Sequence, residues 1–216
     1  APAVCRSFVR NQNHSLVPGG EDTHSLYQPY STSLRMGDLG YQSEAQSSLE
    51  VSYNELSEYT QTLHKALSTN YPSYYDIGLK NKNGEYQQLN THLLQIENEF
   101  YSAIRPKRTS ASGETPIHAL QERGVEYIEV RCVDVNPLLP SGIDEETICF
   151  LDTFLLFCLL QDSPKTDSTE SAYISTNISR TVYSGRDPKL TLLQNGREML
   201  LREWGSSLID QMAPVA

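Results

Sequence analysis

The sequence lacks the short motifs that identify the commonest catalytic and nucleotide-binding sites. It contains no Gly-x-x-x-x-Gly-Lys phosphate loop, no Gly-x-Gly-x-x-Gly, no Gly-x-Ser-x-Gly and no His-Glu-x-x-His. Its four cysteines include no Cys-x-x-Cys pair, and no histidines stand at zinc-finger spacing from them. These absences argue against the standard nucleotide-binding loops, a serine hydrolase and a zinc site.

Positive charge and long apolar runs are also scarce. Lys and Arg total 17 against 27 Asp and Glu, and the net charge of -10 opposes nonspecific binding to nucleic acid or to an anionic membrane. The longest apolar run, Phe154 to Leu160, is far short of the roughly 20 residues that span a bilayer. No signal peptide is recognisable at the start. We therefore expect no nucleic-acid partner and no membrane partner.

Cysteine is rare, and two of the cysteines have apolar neighbours. Cys132 lies on the apolar side of an alternating stretch, and Cys158 lies in an apolar run. We expect both to be buried thiols in a reducing compartment rather than members of a disulfide framework. This usage indicates the cytoplasm.

The chain is long enough for a packed core, and we expect one domain from its 216 residues. Helical spacing of apolar residues predicts a helix beginning near Leu56 and a buried helix after Asp144. A final amphipathic helix is predicted over 197–212, a short strand over 33–36, and an exposed loop over 163–171.

Two stretches, Gln95 to Arg108 and Val125 to Pro137, alternate like strands. Since side chains of a strand point alternately to opposite faces, each stretch divides into two sets. In the second stretch one set is mainly polar, comprising Tyr127, Glu129, Arg131 and Val133. The opposite set is apolar, comprising Ile128, Val130 and Cys132. The first stretch has a similar polar set, comprising Glu97, Glu99, Tyr101, Ala103, Arg105 and Lys107.

The polar sets favour phosphoryl chemistry over a purely structural role. An acid and an arginine side by side on a strand, whose apolar face anchors it, can meet a metal ion and a phosphate. On spacing alone, Glu129 and Arg131 would more often form a surface ion pair of little energetic weight. A companion strand that also offers acids and cations weakens that alternative.

Several long strings in the sequence resemble the bacterial form of glutamate-cysteine ligase. They are SLRMGDLGY from Ser33 to Tyr41, LQIENEFYSAIRPKR from Leu94 to Arg108, and GVEYIEVRCVDVNP from Gly124 to Pro137. FLDTFLLFCLLQDSP, from Phe150 to Pro164, is similar to the helix that follows in that family. The resemblance covers most of the chain and weakens after about Gly185.

This resemblance implies an α+β fold with a largely antiparallel sheet, flanked by helices, that forms the active-site funnel of the glutamine synthetase superfamily. It implies a reaction in which ATP, with magnesium, phosphorylates the γ-carboxylate of glutamate. The amine of cysteine then attacks the acyl phosphate, which is the first step of glutathione biosynthesis. The expected partners are therefore the small molecules glutamate, cysteine and ATP.

The resemblance also assigns roles to individual positions. Glu129 matches a metal ligand, and Arg131 matches the catalytic arginine that contacts the transferred phosphoryl group. Substrate-binding roles fall to Arg35, Tyr41 and Tyr101, whose two hydroxyls would hydrogen-bond the carboxylate of cysteine. Nucleotide or phosphate contacts are assigned to Asn98, Arg105, Lys107 and Arg108.

The resemblance is to the later part of those enzymes. Their earlier metal ligands have no counterpart before Ala1, so we expect a single catalytic-domain fragment that is inactive alone and needs the remaining part of the same polypeptide. Two alternatives remain. One is another carboxylate-amine ligase of the same superfamily, and the other is a non-catalytic amino-acid- or nucleotide-binding fragment.

Overall fold

The computed structural model describes residues 3–5, 16–19, 22–38, 40 and 43–216. Contacts divide the chain into two compact units. The first joins Ala1–Tyr41 to Val133–Ala216, and the second is Gln42–Cys132. That the two units form one domain stays a prediction.

The described elements mix helices with short antiparallel strands, as expected of an α+β chain. In chain order they are β1 (Ala3–Cys5), β2 (Val17–Gly19), β3 (Asp22–Tyr27), α1 (Leu56–Ser68), α2 (Pro72–Ile77), β4 (Ile104–Lys107), α3 (Pro116–Arg123), β5 (Tyr127–Val130), α4 (Glu145–Leu160), α5 (Ser168–Ser184), β6 (Thr191–Gln194), β7 (Arg197–Leu200) and α6 (Leu201–Met212). Short 3-10 turns occupy Ala45–Ser48 and Glu97–Glu99. No described helix is long and apolar enough to cross a bilayer.

The second unit is built on an apolar core between helices. The predicted helix beginning at Leu56 is confirmed as α1, and it packs against α3. The core residues are Tyr59, Leu63, Ala66, Leu94, Phe100, Ile117 and Leu120. Phe100 meets the Tyr59 ring edge-on at 6.2 Å between centroids. One core residue, Phe100, precedes β4 by four residues, so the chain passes directly from the core into that strand.

The two stretches predicted as strands contain shorter strands than expected, β4 and β5. The prediction of a strand was wrong for the first half of the earlier stretch, since Glu97–Glu99 forms a 3-10 turn. Two carboxylates fix that turn: Glu97 Oε2 accepts the N–H of Ile117 at 2.8 Å, and Glu99 Oε2 accepts the N–H of Gln95 at 2.6 Å. Both acids are therefore held by backbone groups and are not available as a charged strand face.

In the first unit, a turn that was not predicted from the sequence shortens the last predicted helix. Asn195 and Gly196 have positive φ angles of 51° and 75°, which is the requirement of a tight hairpin turn. The chain therefore returns as β7, antiparallel to β6, before α6 begins at Leu201. The prediction of a helix over 197–212 was wrong for its first turn and correct for the remainder.

The first unit leaves much apolar surface open. The prediction that α4 is buried was wrong: Phe157 is buried, but Ile148, Phe150 and Leu159 are exposed. Cys158 of this helix is exposed too, as is Cys132 of the second unit, which contradicts the expected buried thiols. Apolar composition does not ensure burial, because burial depends on neighbouring elements, and the described residues of the first unit cover only part of α4.

The segment that connects α4 to α5 is polar, as expected. Residues 161–167 form the connection, exposed except for the half-buried Thr166. The Asp167 side chain accepts the N–H of Glu170 at 2.8 Å and so caps α5. Residues 168–171 of the expected loop therefore belong to the first turn of a helix.

Candidate active site

The antiparallel pair β4–β5 brings the polar sets of both strands together. Arg105 lies opposite Glu129, and Lys107 lies opposite Tyr127. The N–H of Arg131 donates to the carbonyl of Ala103 at 2.8 Å, so the ladder continues one pair beyond β5. Because residues of the same parity share a face, the cations of one strand lie beside the acid of the other.

The Glu129 cluster consists of Glu129 with Tyr101, Arg105, Lys107 and Arg131. Lys107 Nζ is 3.5 Å from Glu129 Oε2, and Arg105 Nη1 is 3.9 Å from the same oxygen. Arg131 Nη1 is 3.6 Å from the other oxygen, Oε1. The Arg131 guanidinium also lies 5.1 Å above the centre of the Tyr101 ring, within the range of a cation–π contact.

The most buried residue of β4–β5 lies on the charged face, which reverses the sequence-based expectation. Arg105 is only 6% exposed, whereas Ile128 on the opposite face is 49% exposed. The prediction that the apolar face of the strand is buried and anchors it was therefore wrong for the described residues. Instead, the Arg105 guanidinium lies near the buried Tyr59. Burial raises the pKa of Tyr59 to about 12, and the nearby guanidinium opposes that rise.

The charges of the cluster suit an anion. The cations Arg105, Lys107 and Arg131 lie around the Glu129 carboxylate, so positive charge exceeds negative charge among these side chains. Such local excess is notable in a chain whose net charge is -10. Partly buried guanidinium and ammonium groups bind phosphate oxygens through charge-assisted hydrogen bonds.

One atom of the cluster also fits a cation. Glu129 Oε2 is shielded from solvent and accepts no hydrogen bond from a described residue. A carboxylate oxygen is the ligand that Mg²⁺ prefers, but Mg²⁺ binds several oxygens in near-octahedral order. The described part of the chain holds no group of three or more His, Cys, Asp or Glu side chains that could bind a metal ion. Glu129 could therefore supply one ligand, and the described residues show no side-chain cluster that would complete the set.

Two other predicted residues lie apart from these contacts. Arg108 pairs with Glu126, whose Oε2 is 3.7 Å from Arg108 Nε, and donates to the carbonyl of Arg123 at 2.9 Å. Asn98 is exposed in the 3-10 turn before β4. Their predicted nucleotide contacts are untested by this geometry and stay predictions.

The predicted substrate residue Arg35 belongs to the first unit. It lies in a bend, so the strand predicted over 33–36 is wrong. The bend is held by Asp134, whose Oδ2 accepts the N–H groups of Leu34 at 2.9 Å and Arg35 at 3.3 Å. The other predicted substrate residue of this segment, Tyr41, lies outside the described residues.

Asp134 was missed as a candidate residue. Its place in the string that contains Glu129 and Arg131 was the available signal, since it follows Arg131 by three residues. Gly40 was missed as well. A Cβ on Gly40 would lie 1.9 Å from the carbonyl oxygen of Arg35, so the segment after Arg35 can close in this way only with glycine.

Comparison with known proteins gives consistent relatives over the whole chain. It is 49% identical over 216 residues to the glutamate–cysteine ligase of Pseudomonas fluorescens, covering 100% of this chain and 40% of that protein. It is 52% identical to the glutamate–cysteine ligase of Saccharophagus degradans, covering 41% of it. The chain thus spans about two fifths of the length of the curated relatives it matches.

A solved structure agrees with the sequence relatives. The crystal structure of glutamate–cysteine ligase from Francisella tularensis in complex with AMP matches with a TM-score of 0.91 at 38% identity, covering 100% of this chain and 43% of that chain. The family model for glutamate-cysteine ligase matches residues 1–181, which is most of the chain. The sequence strings, the fold and these matches agree, and the chain belongs to the glutamate–cysteine ligase family.

Proposed function

We propose that this chain supplies part of the active site of an ATP-dependent ligase that joins the γ-carboxylate of glutamate to the amine of cysteine. The reaction would proceed through γ-glutamyl phosphate and serve the first step of glutathione biosynthesis. The observation that carries the proposal is the Glu129 cluster, where cations on a partly buried strand pair surround a carboxylate. The AMP bound to the Francisella relative supports an adenine nucleotide as the second substrate.

Arg131 is proposed to contact the transferring phosphoryl group. Its guanidinium is held from two sides, by Glu129 Oε1 and by the Tyr101 ring, so its planar fork is oriented before an anion arrives. Preorganised positive charge stabilises a transferring phosphoryl group because no reorientation is needed during the reaction. Lys107 is proposed as a second phosphate contact, since its ammonium lies beside the same carboxylate and its side chain is 21% exposed.

Glu129 is proposed as the ligand that this chain contributes to Mg²⁺. When bound, the ion would neutralise charge on phosphate oxygens and bring them close to carboxylates. Arg105 is proposed to contribute to phosphate binding from beneath Glu129. Its side chain is only 8% exposed, and its Nη1 lies 3.9 Å from Glu129 Oε2. Asn98 and Arg108 are kept as candidates for nucleotide contact.

Arg35, Tyr41 and Tyr101 are proposed to bind the carboxylate of cysteine. An arginine fork and two hydroxyl donors suit a carboxylate, which accepts several hydrogen bonds at once. We further propose that β4–β5 contributes to a glutamine synthetase-like funnel whose other strands lie in the rest of the polypeptide. Free thiols at Cys132, Cys149 and Cys158 support the cytoplasm as the compartment.

One observation favours a non-catalytic alternative. The described residues provide an anion-binding cluster without a complete set of metal ligands. A segment of this kind could bind an amino acid or nucleotide without turnover. A different carboxylate–amine ligase would keep the same cluster and change the amine, which a comparison of amino acids in a phosphate-release assay would reveal.

The first prediction concerns Arg131 in the full-length ligase that carries this segment. Arg131→Lys keeps the charge but removes the planar fork. We expect a loss of about 2 to 4 kcal/mol of transition-state stabilisation, or roughly thirty- to eight-hundredfold in kcat/KM, with little change in the unfolding midpoint. Arg202→Lys, on the exposed surface of α6, is the control. Near-normal turnover of Arg131→Lys would refute its role at the phosphoryl group.

The second prediction concerns Tyr101 and Tyr41. Removing either hydroxyl by substitution with Phe should raise the KM for cysteine more than the KM for ATP, because a carboxylate would lose a hydrogen-bond donor worth about 1 kcal/mol. Steady-state kinetics with each substrate varied separately measures the difference. Tyr86→Phe, at an exposed tyrosine, serves as the matched control. A shift confined to ATP would place these tyrosines at the nucleotide instead.

The third prediction concerns residues 1–216 alone. Without further metal ligands, they should release no ADP in the presence of glutamate, cysteine, ATP and Mg²⁺, since phosphoryl transfer between anions needs a fixed metal. A coupled ADP-release assay beside the full-length protein measures this. Turnover by the isolated segment at the full-length rate would show that the metal ligands have been misplaced. Absence of cysteine-dependent turnover in the full-length protein would instead favour the non-catalytic alternative.

A further inference from the structure

We infer that Asp134 is a positioning residue for Arg35, and that it tunes the affinity for the amino-acid substrate without touching it. The inference rests on the proposed function of Arg35 as a carboxylate-binding residue. It goes further by naming the group that fixes the Arg35 backbone.

The Asp134 carboxylate is engaged on both oxygens by one short segment. Oδ1 accepts a hydrogen bond from the Ser33 hydroxyl, and Oδ2 accepts the N–H groups of Leu34 and Arg35 at 2.9 and 3.3 Å. The Ser33 hydroxyl oxygen in turn accepts the N–H of Met36 at 3.0 Å. Residues 33–35 are therefore tied directly to a single side chain about 100 positions away in sequence, and Met36 is tied to it through Ser33.

This arrangement replaces the hydrogen bonds that a strand or helix would provide. Residues 34–37 form bends, so their N–H groups have no ladder partners of regular secondary structure. Half-buried backbone donors need acceptors, and a carboxylate that accepts two N–H groups supplies them strongly. Asp134 thereby fixes the backbone from which the Arg35 side chain projects.

The segment is fixed at its two ends as well. Before it, the N–H of Thr32 donates to the carbonyl of Val182 at 2.9 Å, near the end of α5. After it, the N–H of Gly40 donates to the carbonyl of Gly37 at 2.9 Å, and Gly40 approaches the Arg35 carbonyl too closely for any side chain. With both ends held, the carboxylate of Asp134 decides the conformation of the middle, where Arg35 lies.

The test is substrate-resolved kinetics on the full-length ligase with Asp134→Ala. Losing two backbone partners and one hydroxyl partner should raise the KM for cysteine about tenfold and leave the KM for ATP within about twofold. Asp134→Asn and Ser33→Ala each keep part of the network and should give smaller increases in the same direction. Asp167→Ala is the matched control, because this aspartate also accepts a backbone N–H, at the start of α5.

A double-mutant cycle separates positioning from general support of the fold. If Asp134 acts through Arg35, adding Asp134→Ala to Arg35→Ala should raise the cysteine KM no further, whereas independent effects would multiply. Multiplying effects, or equal changes in both KM values, would overturn the inference. Should Asp134→Ala fail to fold, the same cycle with Ser33→Ala and Asp134→Asn decides it. A wild-type protein without cysteine-dependent ADP release would refute the proposed function itself.

Discussion

The pairing of the buried Arg105 guanidinium with the Glu129 carboxylate is the constraint on which the candidate site depends. Arginine cannot lose its charge in a protein, so its burial requires a nearby anion. Glu129, directly across the ladder from it, supplies that anion and must therefore face inward. Because strand residues alternate, the inward position of Glu129 carries Arg131 and Lys107 to the same side and turns Ile128 outward.

The same pairing sets the chemistry of the site. A carboxylate shared by several cations cannot neutralise all of them, and the remaining positive charge favours an incoming anion such as a phosphoryl group. The Arg105 guanidinium is buried beside Tyr59 and paired with Glu129, so it has little access to an incoming anion. Arg131 and Lys107 keep partial access to solvent. Removing Glu129 would leave the buried Arg105 without the counter-charge across the ladder, whereas removing Arg105 would leave Glu129 paired with Lys107 and Arg131.

The sequence predicted which residues share a face and could not predict which face is buried. The alternation in VEYIEVR places Glu129 beside Arg131 whatever surrounds the strand, and the structure confirms the shared face. Burial depends on the partners of the strand, so the outward Ile128 and the exposed α4 were not predictable from local pattern. The 3-10 turn at Glu97 and the Asp134 contacts with Leu34 arise from partners 20 and 100 positions away, which no periodicity records.

Glu129→Gln in the full-length protein tests the proposed role of this carboxylate through the Mg²⁺ dependence of ADP release. The amide keeps the size of the side chain but loses the charge that would bind the ion and that balances the cations. If Glu129 binds the ion, turnover should fall and the Mg²⁺ concentration required should increase about tenfold or more. Glu198→Gln, which breaks the exposed strand–helix pair with Arg180, should leave both unchanged. An unaltered Mg²⁺ requirement in Glu129→Gln would refute a metal-ligand role for this carboxylate.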